Sequence, residues 1–425
     1  MFGFGRDLRR LFDQARKSDN AWVELIGADL LETEARGQTT DSHRANRRDP
    51  FHDCLKAATL WREHARRTGR RNSLARALEA ATEAAHGADT PVLRAEAALE
   101  TALCLMLQFE QRGGPHLLNQ IDLVLDGHEP GRKGPLTARM AGAHAKLEAL
   151  RARHSGEAGA MMDASALLDS ALHDLTRREE LTVETAEAQL DRASLALEAG
   201  LKRGDARLLD QAGRDLRALV EAASPEYRPV TRARALTLCA AGLSALAALA
   251  GDAEAREKAN EMFDAAADAF TPDHSPLDWA AIELARAVRS SAPDLDRMLE
   301  IEAVTAGEGL ILGALARERR LALEAAQAER ETDAAQLARM ETRLRRGLAH
   351  GNAENAPLDW AADQIGLSHV RLARARVTGQ EDISHLGLIL TEAAETAREL
   401  GAGLIVDRAR ELLASLKQAS PSRPA

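Results

Sequence analysis

The sequence predicts an all-α protein, arranged as an α-solenoid of about eight antiparallel helix hairpins. Composition supports the all-α part of this prediction. About a fifth of the 425 residues are alanine, only 13 are proline, and aromatic residues make up 3%. Alanine is the strongest helix former and proline the weakest, whereas strands favour β-branched and aromatic side chains. The solenoid part rests on a repeated spacing of glycine, proline and alanine.

Glycines that end alanine- and leucine-rich stretches recur at a nearly constant interval. The first five are separated by 43 to 48 residues, and the sixth follows after 128 residues, which is about three such intervals. They are Gly69, Gly113, Gly156, Gly204, Gly251 and Gly379. A proline precedes four of them at a nearly constant distance, at Pro91, Pro135, Pro229 and Pro357. Proline favours the first turn of a helix and glycine the position after its last turn. Each interval from proline to glycine therefore predicts one helix.

Small residues recur inside these predicted helices in two rows. The first row lies about five helical turns before the glycine and the second about three turns before it. They comprise Ala95, Ala138, Ala186, Ala233 and Ala361, and Ala58, Ala102, Ala145, Ala193, Ala240 and Ser368. The two rows share one helix face, since whole turns separate them, and small side chains let two helices approach closely. A second apolar stripe follows most glycines, so the predicted unit is a helix–turn–helix of about 40–48 residues.

One stretch departs from this period. Between residues 292 and 351 no glycine stands at the expected turn, and strong helix formers run from Thr305 to Arg330 and from Thr332 to Leu348. We interpret this stretch as an extra hairpin with elongated helices.

Several segments resemble the tetratricopeptide repeat. The second-helix pattern Ala259, Phe263 and Ala266, closed by Pro272, is similar to that family, as are the Gly-Asp turns at 204–205 and 251–252. Two Pro-Leu-Asp-Trp-Ala segments, at 276–280 and 357–361, resemble the first-helix entry of long repeats of this type. The resemblance covers roughly residues 50–415, although these units exceed the usual length of about 34 residues. It implies a right-handed solenoid whose first helices line a concave wall that holds peptide segments of partner proteins.

Arginines on the predicted first helices are the candidate partner-binding residues. They follow from the resemblance by helix assignment alone, and would meet an acidic peptide or a carboxylate. They are Arg94, Arg139, Arg232, Arg234, Arg286, Arg371 and Arg374.

The two ends of the chain differ from the middle. Residues 1–49 are expected to form amphipathic helices followed by a polar loop over 36–49, residues 50–417 the solenoid, and residues 418–425 a disordered tail. The first helix combines apolar and basic side chains, namely Phe2, Phe4, Arg6, Arg9, Arg10 and Phe12. Such a helix can lie on an anionic membrane surface or cap the first repeat.

The sequence carries no recognisable catalytic motif. Phosphate-binding glycine loops, nucleophile elbows and zinc-protease motifs are missing from it, so we predict no cofactor, no metal and no enzyme. A net charge of −10 disfavours nucleic acid as a partner. Three scattered cysteines, no long apolar run and no signal sequence predict a cytoplasmic protein.

These observations leave three hypotheses for function. The first is a non-catalytic scaffold or adaptor that binds protein partners through peptide segments in its concave groove. The second is a membrane-surface recruiter that docks through its basic N-terminus. The third is a ligand-sensing or enzymatic protein with a pocket between repeats.

Overall fold

The computed structural model describes residues 20–44, 48–128, 134–289, 295–351, 354–379, 383 and 385–419. Within these ranges the chain forms eighteen α-helices, two short 3₁₀ helices and no strand. The all-α prediction is therefore confirmed for the described residues. The two 3₁₀ helices are Asn20–Leu25 and Glu179–Leu181.

The helices follow one another along the whole described chain. The first nine are α1 (Ala28–Ser42), α2 (Pro50–Thr68), α3 (Arg71–Gly87), α4 (Pro91–Arg112), α5 (His116–Asp126), α6 (Pro135–Ser155), α7 (Ala158–Leu175), α8 (Thr182–Arg203) and α9 (Ala206–Ala222). The other nine are α10 (Pro229–Ala250), α11 (Ala253–Ala267), α12 (Pro276–Arg289), α13 (Leu295–Thr305), α14 (Ile311–Arg330), α15 (Ala334–His350), α16 (Pro357–Thr378), α17 (Leu386–Glu399) and α18 (Gly403–Ala419).

Sixteen of these helices fall into eight consecutive pairs, from α2 and α3 to α16 and α17. First helices pack on the first helices of neighbouring pairs, as α6 does on α8, α8 on α10, and α14 on α16. Most of the packing is between helices that are close in sequence, as expected of a solenoid. The predicted solenoid of about eight hairpins is confirmed, while its right-handed sense stays a prediction.

The chain divides into two compact units. Unit 1 comprises Met1–Gln108 and His116–Ile282, and unit 2 comprises Phe109–Pro115 and Glu283–Ala425. Each unit has its own buried core. In unit 1, α8, α9 and α10 surround one apolar cluster; in unit 2, α16, α17 and α18 form another. The predicted boundaries after residues 49 and 417 stay predictions.

Helix boundaries follow the proline and glycine pattern. Helices begin at Pro91, Pro135, Pro229 and Pro357, as predicted, and also at Pro50 and Pro276. All six spaced glycines adopt the left-handed conformation, with φ between 64° and 73°. In that conformation a Cβ atom would meet the following carbonyl, so glycine is favoured there.

The two rows of small residues are buried. Each of the eleven residues named for these rows is at most 6% exposed. At two crossings between neighbouring first helices the small residue is a glycine, and a larger side chain would not fit there. A Cβ atom on Gly366 of α16 would lie 2.4 Å from Leu321 Cδ1 of α14, and one on Gly242 of α10 would lie 2.8 Å from Leu197 Cδ2 of α8. The small residues therefore set the spacing between first helices.

Over the described residues 295–351, the hairpin predicted from the sequence is present as α14 and α15, but its helices are not elongated. Thr305 ends α13 instead of beginning a helix, and Gly307 and Gly309 form the next turn. Helices α14 and α15 then form a pair of ordinary length, with 20 and 17 residues. Their turn contains Thr332 at φ 54°, so a threonine occupies the left-handed position that glycine occupies in other turns.

The prediction of a polar loop over 36–49 is also wrong in part, because α1 continues to Ser42. Leu31 and Ala35 are fully buried in the cluster that contains Trp61, and this burial holds the helix in place. The hydroxyl of Thr39 bonds to its own helix at Ala35 O and also accepts a hydrogen bond from Trp61 Nε1, at 2.9 Å. In the predicted tail, α18 extends to Ala419 and the remainder lies outside the described residues.

One described helix, α10, is long and apolar enough to cross a membrane by length and composition alone. In the structure it packs against α8, α9 and α11. Buried helices of soluble proteins pass the same test, so this property carries no further conclusion.

We expect Gly366→Ala to destabilise unit 2. The added methyl group would overlap Leu321, and overpacking costs about 1–3 kcal/mol, which exceeds the gain of up to about 1 kcal/mol from replacing a helical glycine. Gly347→Ala is the matched control, because Gly347 lies in α15, is exposed, and has no atom closer than 4.0 Å to the added Cβ. Urea unfolding should show a lower midpoint for Gly366→Ala and a higher one for Gly347→Ala. Equal midpoints would contradict close helix packing at this crossing.

We expect Thr332→Gly to stabilise unit 2 by about 0.5–1 kcal/mol, since glycine relieves the strain of the left-handed conformation. The greater freedom of the unfolded chain offsets part of this gain. Thr342→Gly, inside α15, should instead lower stability. Thermal melting of the two variants checks the sign of each change, and a lower melting temperature for Thr332→Gly would show that this turn is not strained.

Candidate functional site

The inner surface of unit 1 contains a cavity of about 340 Å³. Five successive first helices line it, namely α2, α4, α6, α8 and α10, together with the two 3₁₀ helices. Helix α2 contributes Thr59, Arg62, Glu63 and Arg66, whose spacing of three and four positions places them on one helix face. In unit 1, first helices therefore line a common cavity, while the peptide-binding wall implied by the resemblance stays a prediction.

Apolar and charged side chains share this lining. Leu103 of α4, Leu136 of α6 and Val183 and Leu190 of α8 provide apolar surface. A smaller cavity of about 50 Å³ shares Leu103, Arg139, Glu184 and Glu187 with the larger one. The site therefore offers both hydrophobic contact and charge to an occupant.

A network of ion pairs lies on the α2 side of the cavity. Arg62 Nε donates to Glu100 at 2.7 Å, and Arg66 binds both Glu63, at 2.7 Å, and Asp278, at 3.0 Å. Burial alone would raise the pKa of Glu63, but the charges of Arg66 and Arg67 lower it well below its usual range. These pairs hold the arginines in fixed positions.

The α6 and α8 side of the cavity is paired less completely. Arg139 Nε lies 3.0 Å from Glu184 Oε1, and Lys146 Nζ lies 3.5 Å from Asp191 Oδ2. Glu187 lies one turn beyond Glu184 and lines both cavities. Burial raises its pKa, and the charges of Arg62 and Lys146 offset only part of this effect.

A segment of the chain itself lines the cavity of unit 1, and we call the surface that holds this segment and lines the cavity the groove of unit 1. The carboxylate of Glu24, 9% exposed, accepts hydrogen bonds from Arg228 Nε, Thr231 N and Thr231 Oγ1 at 2.8, 2.9 and 2.6 Å. The guanidinium of Arg67 is fully buried and donates to the main-chain oxygens of Ile26 and Val23 at 2.6 and 2.7 Å. We call residues 20–27 the inner segment. Side chains of unit 1 therefore bond to the backbone of this segment.

The seven arginines proposed from the sequence do not come together. In unit 1, Arg139 and Arg234 line the cavity, and Arg234 Nε lies 3.6 Å from Asp278 Oδ1. Arg232 donates to the carbonyl oxygens of Val220 and Ala223 at the end of α9, where it supports the helix terminus.

The other four arginines lie elsewhere. Arg94 is exposed at the start of α4 and bonds to the carbonyl of Asp89. In unit 2, Arg286 pairs with Glu283, while Arg371 and Arg374 both pair with the buried carboxylate of Glu341 at 3.5 and 2.6 Å. The partner-binding role of all seven stays a prediction.

The N-terminal residues proposed for membrane docking cannot be placed. Phe2, Phe4, Arg6, Arg9, Arg10 and Phe12 all lie outside the described residues. Across the described ranges, no group of three histidine, cysteine or acidic side chains is arranged to hold a metal ion.

Sequence reasoning missed the residues that define this groove. Glu24, Arg67 and Glu187 were not singled out, since their partners lie far away in the chain; Glu24 and Thr231 are separated by 207 residues. The only local signal was the Arg66-Arg67 pair at the end of α2, which is typical of a charged helix terminus.

Comparison with known proteins identifies no relative by sequence. No protein family and no curated protein matches the chain. One solved structure that it resembles is described as a circular tandem repeat protein with novel repeat topology and enhanced subunit contact surfaces. The identity is 17%, the coverage is 97% of this chain and 88% of the other, and the TM-score is 0.20. This degree of similarity adds no argument to the fold already described.

We expect Glu24→Ala to release the inner segment. The change leaves the donors of Arg228 and Thr231 without their acceptor, and hydrogen bonds to charged groups contribute about 1.5–3 kcal/mol. Amide hydrogen exchange of residues 20–27 should speed up, and the urea midpoint of unit 1 should fall. Glu226→Ala is the control, because Glu226 is exposed and lies near Arg228 in sequence. Unchanged exchange in Glu24→Ala would show that Glu24 does not hold the segment.

Proposed function

We propose that this chain is a non-catalytic interaction scaffold that holds a peptide segment of a partner protein in the groove of unit 1. The observation that carries this proposal is the inner segment, because the groove already binds the chain's own backbone through Arg67 and its own side chain through Thr231. A repeat fold is generally suited to such a role, since stacked hairpins present an extended inner surface.

The resemblance to tetratricopeptide repeats supports the same proposal. In that family first helices form the peptide-binding wall, and in unit 1 the first helices α2, α4, α6, α8 and α10 line the cavity. The resemblance also favours an adaptor over an enzyme, and the scattered cysteines favour a cytoplasmic one. Membrane recruitment through residues 1–17 remains a separate proposal.

The cavity also supports a second candidate, a protein that senses a small ligand. Its volume of about 340 Å³ is at the lower end of the range of roughly 300–1,000 Å³ found for ligand sites. A peptide side chain and a small ligand would then use the same lining residues. The two candidates are distinguished by whether the bound group is part of a polypeptide.

We expect Leu136→Trp to reduce partner recovery in affinity purification from the native source. The indole would fill part of the cavity that Leu136 lines, so a segment that enters the groove would be excluded. Leu123→Trp is the matched control, because Leu123 of α5 is 78% exposed and does not line the cavity. Partner recovery should fall about tenfold or more for Leu136→Trp and stay unchanged for the control.

Circular dichroism and urea unfolding would establish that both variants are folded. Equal recovery from Leu136→Trp and the unmodified chain would contradict binding in this groove. Loss of recovery in both variants would place the partner on another surface.

A further inference from the structure

The cations that line the cavity of unit 1 are already neutralised by carboxylates. Arg62 lies 2.7 Å from Glu100, Arg66 2.7 Å from Glu63, Arg139 3.0 Å from Glu184 and Arg234 3.6 Å from Asp278. An acidic peptide would have to displace one of these acids to reach a guanidinium. The cavity is therefore poorly suited to the acidic partner expected from the sequence.

Glu187 differs from every carboxylate in these pairs. Among the residues that the structure describes, no hydrogen-bond donor and no cation lies within bonding distance of its carboxylate. Its side chain is only partly exposed, and it lines both cavities. Arg62 and Lys146 act on this carboxylate only from a distance. A carboxylate without a direct partner is unfavourable, so a cation that entered the cavity would gain a charged partner in Glu187.

Apolar side chains line the cavity together with Glu187 and the charged pairs. Leu103 and Leu190 line the cavity with Glu187, and Leu136 and Val183 complete the wall on the α6 and α8 side. An apolar wall that leads to a carboxylate is complementary to an aliphatic stem ending in a cation. Among protein side chains this description fits lysine and arginine.

The source of this cation is argued from the inner segment. Ala21, Val23 and Glu24 of that segment line the same cavity, and Arg67 holds its main-chain oxygens. The surroundings of Glu187 are therefore part of a groove that binds polypeptide. A side chain from a second polypeptide is favoured over a free amine for this reason.

We propose that the cavity of unit 1 receives an arginine or lysine side chain of a partner segment, and that Glu187 is the carboxylate that binds its cation. The inference rests on the proposed scaffold function and specifies the chemistry of the partner at the same site. It also reverses the sign of charge that the arginine-rich first helices had suggested.

The test uses pools of random peptides, because such pools do not require the sequence of the partner. Four acetylated heptapeptide pools carry random residues around a central position that is fixed as arginine, lysine, glutamine or glutamate. Retention of each pool is measured on the immobilised full-length chain, its Glu187→Gln variant and its Glu221→Gln variant. Glu187→Gln keeps the side-chain shape and removes only the charge. Glu221 is exposed at the end of α9, outside the cavity lining, so Glu221→Gln makes the same change in net charge.

We expect the unmodified chain and Glu221→Gln to retain the arginine and lysine pools about tenfold more than the glutamine pool, as a charge-assisted hydrogen bond in a desolvated site predicts. Glu187→Gln should lose this preference. Its urea midpoint should stay the same or rise, because the substitution removes an unpaired charge, and a folded variant makes the comparison valid.

Four results would overturn the inference. They are a preference for the glutamate pool, a preference that survives Glu187→Gln, a loss that Glu221→Gln reproduces, and binding of free agmatine with no retention of any peptide pool. The last result would assign the site to a small amine. Retention of all pools to the same extent would remove the role of Glu187 and leave the scaffold proposal standing, because the groove would then bind backbone alone.

Discussion

Close approach of neighbouring first helices is the constraint on which the rest of the structure depends. Alanine, serine and glycine occupy the crossings, and the fit is tight enough that a single Cβ atom on Gly366 would overlap Leu321. First helices of neighbouring pairs pack directly on one another, as α6 does on α8 and α8 on α10. In unit 1 five such helices line one cavity, and it is this packing that makes a site out of residues from widely separated parts of the chain.

Charge pairing is the second requirement that the packed interior imposes. In both units, the buried carboxylates named here pair with arginine or histidine side chains or accept other hydrogen bonds. In unit 2, Glu318 is 1% exposed and binds both His369 and Arg408, while Asp363 binds Arg317 through two hydrogen bonds of 2.6 and 2.8 Å. Most inward-facing arginines therefore serve the fold, since an unpaired buried charge is costly. The proposed binding of a cation is placed where this pairing is incomplete, at Glu187.

The sequence predicts the backbone far better than the site. Proline and glycine act through local φ angles, so helix starts such as Pro91 and helix ends such as Gly69 follow directly from residue type. The same reasoning fails at Thr332, where the surrounding helices impose a left-handed angle on a residue that does not favour it. It also fails over residues 36–42, where burial of Leu31 and Ala35 stabilises a helix whose exposed face is polar.

The site depends on pairings between distant parts of the chain. Arg66 and Asp278 are 212 residues apart, and nothing local to either residue identifies the other. Assignment of arginines to first helices included Arg139 and Arg234, which line the cavity of unit 1. It could not show that their charges are already neutralised, since this is a property of tertiary contacts.

The inner segment has a consequence for how unit 1 folds. Stacked hairpins are stabilised mainly by neighbours, so one part of an array can open while the rest stays intact. Residues 24–28, however, bond to residues 228, 231, 273 and 274, which lie far along the chain. These contacts join the N-terminal part of unit 1 to the start of α10 and to the residues that precede α12. Local unfolding at either end of the unit should therefore be less favourable. They also form only after the ribosome has produced residues 228–274. The N-terminal repeats must therefore stay free of aggregation during synthesis without these contacts.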